Sequence, residues 1–473
     1  MNFTLLFSIC LFPFQPMGEC FVPNLPHSLE SMIHLQEKGT LHSSDILRHT
    51  KTVIQNQDPQ VHCMLFVPSM DHNPKDCDGD NRVVFPFMAS DNILALRTPT
   101  TCGSKIMRNY ISPFDATVVE RLRKAGGVLV GKTNMDEFSM GLTTETSGFF
   151  PTSNPHDLQL TPGGGCGGSA AAVASGIAPV ALGSDAEGSI RIPASFCRVI
   201  GYKPSYGVIS RYGLISPCPS LDAIGLICRS TRDAALSASW IMGPDHKDAT
   251  MGSETIDLLE AIESSVDSLR LCLLEPSNAF PMDFQIKESF DRAVQTLRKT
   301  GIHIQKEPFI SYTTLRATHH ALSCAEAVSS LSRCFSYARN TDPSSLRELG
   351  LEVKSRILFG TLCLSDPDGA QALHAARCLR NAVSRRVCAL LKRYDAVISP
   401  TTPFLPPKSG SHPVELNTFA VLANLAGLPA ITIPMGPEQE LLCGLQIMCG
   451  PREDAKLFQI ARQMERILGV DLP

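Results

Sequence analysis

The sequence contains no run of Lys or Arg, and its formal net charge is −4. A surface that grips nucleic acid needs clustered cations to neutralise phosphates, so the chain advertises none of its own. Any RNA substrate would be held mainly by a partner. The 17 cysteines include no Cys-x-x-Cys pair, and no Cys/His cluster has zinc spacing, which argues against a structural zinc site. They stand singly in apolar contexts, as at Cys197, Cys228 and Cys324. A chain of 473 residues can bury a core without disulfide staples. These cysteines therefore read as buried, reduced thiols.

Cations are also missing from the start of the chain, where none precedes Lys38 and Phe3 to Pro16 is nearly all apolar. The stretch is too short, and too broken by Pro13 and Pro16, to span a bilayer. Residues 1–20 read as a hydrophobic leader of the signal-peptide kind, with cleavage near Gly18–Phe21, although the charged start of such a leader is lacking. The alternative is an ordinary apolar first segment. A mitochondrial presequence should be amphipathic and rich in Arg, and this stretch is neither.

What is present is an alternation of helix and strand signals. Residues 114–126 read as an amphipathic helix with Asp115 as its cap, Val118, Leu122 and Ala125 on one stripe, and Gly126 as its stop. Ser43–Asp45 marks another helix start. Short apolar runs at 127–130, 180–182, 394–399, 430–434 and 445–448 read as strands. Leu457, Ile460, Ala461, Met464, Ile467 and Leu468 form the stripe of a last helix, with Asp454 placed to cap it. Pro68 to Asn81 reads as a loop. The pattern predicts an α/β layered fold around a buried sheet, with no repeat and no internal boundary.

The centre of the chain carries the chemistry. Five glycines fall within residues 163–168, and an Ala-rich helix follows from about Ser169. Glycines let the backbone approach a ligand closely, and a helix start offers free N–H groups. Three readings compete on these grounds. A phosphate cradle lacks its Gly-Lys-Ser/Thr. A tight turn without chemistry is the plain alternative. The third is an acyl-transfer site with a serine nucleophile and an oxyanion held by backbone N–H groups.

Motifs in order and spacing separate these readings. GGGCGGS at 163–169 and GSDAEGSIRIP at 183–193 resemble the paired glycine–serine motifs of the amidase-signature family. The similarity continues through GYKPSYG at 201–207, SRYGL at 210–214, SLDAIG at 220–225, EVKSRILFGT at 352–361, SPTTP at 399–403 and NLAGLPAITIP at 424–434. GKTNMDEFSMG at 131–141 and SRYGL make it most similar to the A-subunit type of glutamyl-tRNA(Gln) amidotransferase. The resemblance implies an amidase-signature fold, with a mixed central β-sheet sandwiched between α-helices, as one domain over residues 21–473. It implies a glutaminase component that supplies ammonia for converting Glu-tRNA(Gln) to Gln-tRNA(Gln). It also implies a heterotrimer with the B and C subunits, in which the partner holds the tRNA and uses ATP and Mg, and this chain binds no cofactor. An organellar location follows, with a plastid reached by the secretory-type leader favoured and a mitochondrion as the alternative.

The same resemblance implies a Ser–cis-Ser–Lys triad that attacks glutamine. Ser189 occupies the acyl-nucleophile position, and the loop of Ala186, Glu187 and Gly188 that of the oxyanion site. The bridging serine should stand 24 residues upstream, where the chain has Gly165, and the lysine should lie in a motif that here reads VFPFMASDN at 84–92, with Ser90 in its place. Glycine cannot pass a proton, and a serine hydroxyl is too weak a base to replace an amine. Lys75 is out of register. Cys166 stands at the family's second serine and reads as a packed thiol more readily than as a nucleophile. Glu187 replaces a glycine and reads as disruptive of the oxyanion loop, with a local base as the alternative. For the glutamine side, Arg356 matches a family arginine, while the family's acidic residue is replaced by Asn417. The expectation is an amidotransferase A subunit with a degenerate triad, or else an inactive scaffold of the same fold.

Overall fold

In a computed structural model the described residues are 28–69, 83–253, 256–276, 280–411, 415–436 and 442–470. The leader, Lys75 and most of the Pro68–Asn81 loop lie outside them.

Among the described residues eleven strands form one sheet. In chain order they are β1 (Met64–Phe66), β2 (Phe85–Ser90), β3 (Gly127–Thr133), β4 (Val180–Asp185), β5 (Ile200–Lys203), β6 (Ala223–Cys228), β7 (Arg270–Pro276), β8 (His303–Phe309), β9 (Ala396–Pro400), β10 (Ala430–Pro434) and β11 (Gly444–Met448). Their spatial order is β1-β3-β2-β4-β6-β5-β10-β11-β9-β7-β8. β2 runs parallel to β3 and β4, β7 runs parallel to β8 and β9, and the remaining pairs are antiparallel.

Alternation along each strand feeds two cores. Leu182, Ile398, Ile431 and Ile447 join the helices Thr117–Lys124, Thr231–Ile241 and Asp454–Leu468 on one face. On the other face, Ala181 packs with the helix Gly167–Ala174, while Val397, Ala430 and Met448 pack with Tyr312–Ser330 and Pro367–Leu391. The mixed sheet between helices is the expected architecture. The central strands, covered on both faces, read in sequence as short continuous apolar runs, while the edge strand β8 is exposed along much of its length.

Two expected caps are not caps. Ala116 takes the N-cap position of the helix Thr117–Lys124, while Asp115 turns away to accept the backbone N–H of Leu96 at 2.7 Å. Asp454 is the first residue of its helix and accepts from the Tyr202 hydroxyl at 2.6 Å and the Ser205 N–H at 2.9 Å. In each case a partner distant in sequence outcompetes the local backbone. All fourteen described cysteines are free, and all but Cys378 and Cys388 are buried, as the apolar contexts suggested.

A buried ion pair anchors the centre. Asp185, at the end of β4, and Arg191, at the start of the helix Arg191–Phe196, are both fully buried and lie 2.9 Å apart. The carboxylate also accepts the N–H groups of Gly188 at 2.8 Å and Ile190 at 3.2 Å. Arg191 donates onward to Ala420 O, Asn424 Oδ1 and Gln446 Oε1 at 2.6–2.9 Å. Burial alone would raise the Asp185 carboxyl, but the Arg191 charge and hydrogen bonds override it and hold the group well below the usual carboxylate range. Removing one partner of such a pair strands the other in the interior. Arg191→Ala should therefore lower the unfolding free energy by about 3–5 kcal/mol, measured as the urea midpoint. A midpoint equal to the parent's would show that the pair is not an anchor.

Candidate functional site

The clamp between Asp185 and Arg191 fixes the turn that carries Glu187, Gly188 and Ser189. Gly188 adopts φ +107° and lies so close to Ala420 that a Cβ would fall 2.6 Å from its methyl carbon, so only glycine fits. The turn leaves the Ser189 side chain fully buried beside the glycine run, and the Ser189 carbonyl accepts the Cys166 N–H at 3.0 Å.

Gly165 faces Ser189. A Cβ at Gly165 would stand 3.0 Å from Ser189 Oγ and 2.3 Å from Ser139 Oγ, and the Gly164–Gly165 peptide bond is cis. Both hydroxyls are buried, and neither has a hydrogen-bond partner among the described residues. Ser90, at the end of β2, points into a soft, apolar environment, with its hydroxyl 3.5 Å from Met135 Sδ and 3.7 Å from Cys166 Sγ. Thus the structure brings Ser189, Gly165, Cys166 and Ser139 together, with Ser90 against Cys166.

The buried lysines that could stand in for the missing amine are occupied elsewhere. Two lysines are fully buried among the described residues, Lys132 and Lys203. Lys132 pairs with Asp91 at 3.3 Å and donates to Pro99 O and Thr100 Oγ1; burial lowers its pKa. Lys203 donates to the carbonyls of Pro204 and Leu428 at 2.8 Å, and burial pushes it down to about 8. Neither reaches the unpartnered Ser189 hydroxyl. Cys166 is no substitute, since burial pushes its thiol up to about 12. Gly188, expected in the oxyanion loop, has its N–H committed to Asp185 Oδ1.

Glu187 neither bonds to Ser189 nor lies idle. Its side chain enters a neighbouring cavity of 570 Å³, where Oε1 accepts from Arg356 at 3.1 Å and Oε2 from Asn417 Nδ2 at 3.1 Å. Arg356 and Asn417 are therefore assembled as expected, but around a side chain of the protein itself. Sequence reading missed His319, which lies on the helix Tyr312–Ser330. His319 Nε2 contacts the Ala186 carbonyl at 2.8 Å, and its Nδ1 lies 3.9 Å from Glu187. Burial lowers the His319 pKa, and because a carbonyl oxygen only accepts, Nε2 carries the proton of that contact. Arg316 and Glu352 were missed as well; they pair with Glu415 and Arg356. Glu352 opens the EVKSRILFGT motif, whereas no local motif marks His319 or Arg316. Among the described residues no cluster of His, Cys, Asp and Glu has the arrangement to hold a metal.

The amidase family model matches residues 85–458. Over 399 residues the chain is 41% identical to the A subunit of the glutamyl-tRNA(Gln) amidotransferase of Thermotoga maritima, covering 80% of this chain and 84% of that protein. It is 40% identical to the protein of the same name from Saccharolobus solfataricus over 403 residues, with 80% and 82% coverage. The crystal structure of the Thermotoga protein superposes with a TM-score of 0.79 at 35% identity, over 94% of this chain and 96% of that one. The peptide amidase of Stenotrophomonas maltophilia gives 0.77 at 25% identity, over 93% and 96%.

The environment of Cys166 dictates how its thiol should react. A thiol at about 12 is less than one part in a thousand thiolate at pH 8. Iodoacetamide at pH 8 should modify the exposed Cys378 and leave Cys166 untouched in native protein, with Cys166 reacting only after unfolding. Rapid native alkylation of Cys166, read by peptide mass spectrometry, would reveal an activated nucleophile instead.

Proposed function

The chain belongs to the amidase family, and from that premise we propose that it takes the place of the A subunit in a glutamyl-tRNA(Gln) amidotransferase while releasing no ammonia from glutamine itself. The relatives that carry that name match four-fifths of the chain. The reading of lost chemistry rests on one observation: the Ser189 hydroxyl is buried without a hydrogen-bond partner among the described residues, facing the bare Cα of Gly165. A serine alcohol at neutral pH needs a base within hydrogen-bond reach to become a nucleophile. Here the proton has nowhere to go. Ser90 cannot supply a base, and the residues of a triad act as a unit, so losing one already removes most of the rate.

In this reading the partners are the B and C subunits, with glutamine and Glu-tRNA(Gln) as the substrates of the assembly. ATP and Mg serve the partner, which also holds the tRNA, and this chain carries no cofactor. The partner can still amidate Glu-tRNA(Gln) from free ammonia. An organellar location, in a plastid or a mitochondrion, belongs to the same proposal. The alternative is a scaffold of the same fold with no place in amidation. The match to the Thermotoga protein over 94% of this chain favours the first reading.

The test is glutamine hydrolysis by the chain assembled with the B and C subunits and Glu-tRNA(Gln). Turnover should equal that of Ser189→Ala, and the triple change Ser90→Lys, Gly165→Ser, Glu187→Gly, which also frees Arg356 of its internal carboxylate, should raise it at least tenfold. The atoms nearest a Cβ at Gly165 are Ser139 Oγ, Ser189 Oγ and Ser189 Cβ, so the new serine needs a rotation of Ser139 and a small displacement of Ser189. Parent turnover clearly above Ser189→Ala would overturn the proposal. Failure to co-purify with the B and C subunits would favour the scaffold.

A further inference from the structure

The cavity that Glu187 enters contains two guanidinium groups, and both are already paired. Arg316 pairs with Glu415 and donates from Nε to Asn417 Oδ1 at 3.3 Å. Arg356 donates to Glu352 at 2.7 Å and to Glu187 at 3.1 Å. His319 and His320, on the same wall, both have their pKa lowered by burial. Three carboxylates, of Glu187, Glu352 and Glu415, thus face two guanidinium groups in this cavity.

Glu187 differs from the other two carboxylates in where it comes from. It rises from the turn that carries Ser189, two residues away, and that turn is clamped by Asp185 and Arg191. Glu187 is only 4% exposed, whereas Glu352 and Glu415 lie at the rim with side chains 41% and 33% exposed. Asn417 completes the arrangement. Its amide donates to Glu187 Oε2 and accepts from Arg316, using both ends. An aspartate at 417 would bring a second carboxylate to within about 3–4 Å of Glu187, a repulsive contact in a low-dielectric site. The two residues fit each other.

We infer that Glu187 is a tethered occupant of the receptor formed by Arg356 and Asn417, so that this cavity rejects ligands with a free α-carboxylate and admits neutral or cationic amides. A carboxylate fixed to the chain competes at a high effective concentration with any dissolved one. A free amino acid must displace Glu187 and bury it unpaired to reach Arg356. The inference deepens the amidotransferase proposal and rests on it only for the choice of glutamine as a probe.

The experiment is calorimetric titration of the isolated full chain with L-glutamine, with its α-carboxamide analogue, and with glutarate. Against the parent, Glu187→Gly should bind L-glutamine and glutarate at least tenfold more tightly, with no gain for the carboxamide. Glu187→Gln keeps the volume of the side chain and frees Arg356 of the charge. It should show the same preference and carries the test if the glycine variant does not fold. A gain for glutarate alone would support the tethered carboxylate while counting against glutamine as the substrate of this site. Equal affinity in parent and variants, or an equal gain for the carboxamide, would overturn the inference. No turnover is read, so failure of the amidotransferase assay does not alter the outcome.

Discussion

The buried contact between Asp185 and Arg191 is the constraint on which the rest of the centre depends. It closes the turn after β4 on both sides, by taking the N–H groups of Gly188 and Ile190 and by locking Arg191 to Ala420, Asn424 and Gln446. The pair therefore ties the start of its helix to β11 and to the chain around residues 420–424. Burying two charges is expensive, and a pair of this kind contributes geometry more surely than net stability. The geometry it gives is the placement of two side chains with opposite fates. Ser189 faces the glycine run, and Glu187 faces the cavity.

Those fates explain how a site can keep its shape without its chemistry. Ser189 sits beside a glycine run that offers no bridging hydroxyl at 165, and Ser139 Oγ crowds the place where a Cβ would stand. Ser90 has settled against the sulfur atoms of Met135 and Cys166. These soft contacts suit a short, neutral side chain; a lysine there would require its charge to be paired or its proton shed. On the other side, Glu187 meets Arg356 and Asn417, so the substrate-facing cations are neutralised internally. Loss of proton relay and loss of an open carboxylate receptor thus occur in one turn and its immediate neighbours.

Much of this was legible in the sequence, for physical reasons. The glycine run, the strand after it and the motif ending at Ser189 are local, and their spacing places the serine opposite position 165. The strands at 430–434 and 445–448 were readable because both faces of the sheet are buried, giving short apolar runs. The failures share a cause. Asp115 and Asp454 look like helix caps, yet each finds a partner distant in sequence, Leu96 for one and Tyr202 with Ser205 for the other. Glu187 reads as a disruption because its neighbours Arg356, Asn417 and His319 lie more than a hundred residues away. His319 has no motif at all and is visible only once its helix packs over the Ala186 carbonyl.

The central claim is that the Ser189 alcohol is positioned but not activated. Intact-protein and peptide mass spectrometry after exposure to a fluorophosphonate probe at pH 8 tests it most directly, because the probe phosphonylates only serines whose proton is drawn away. The account predicts no adduct on Ser189 in the native chain. An adduct forming there at the rate seen for working serine hydrolases, and absent in Ser189→Ala, would contradict it.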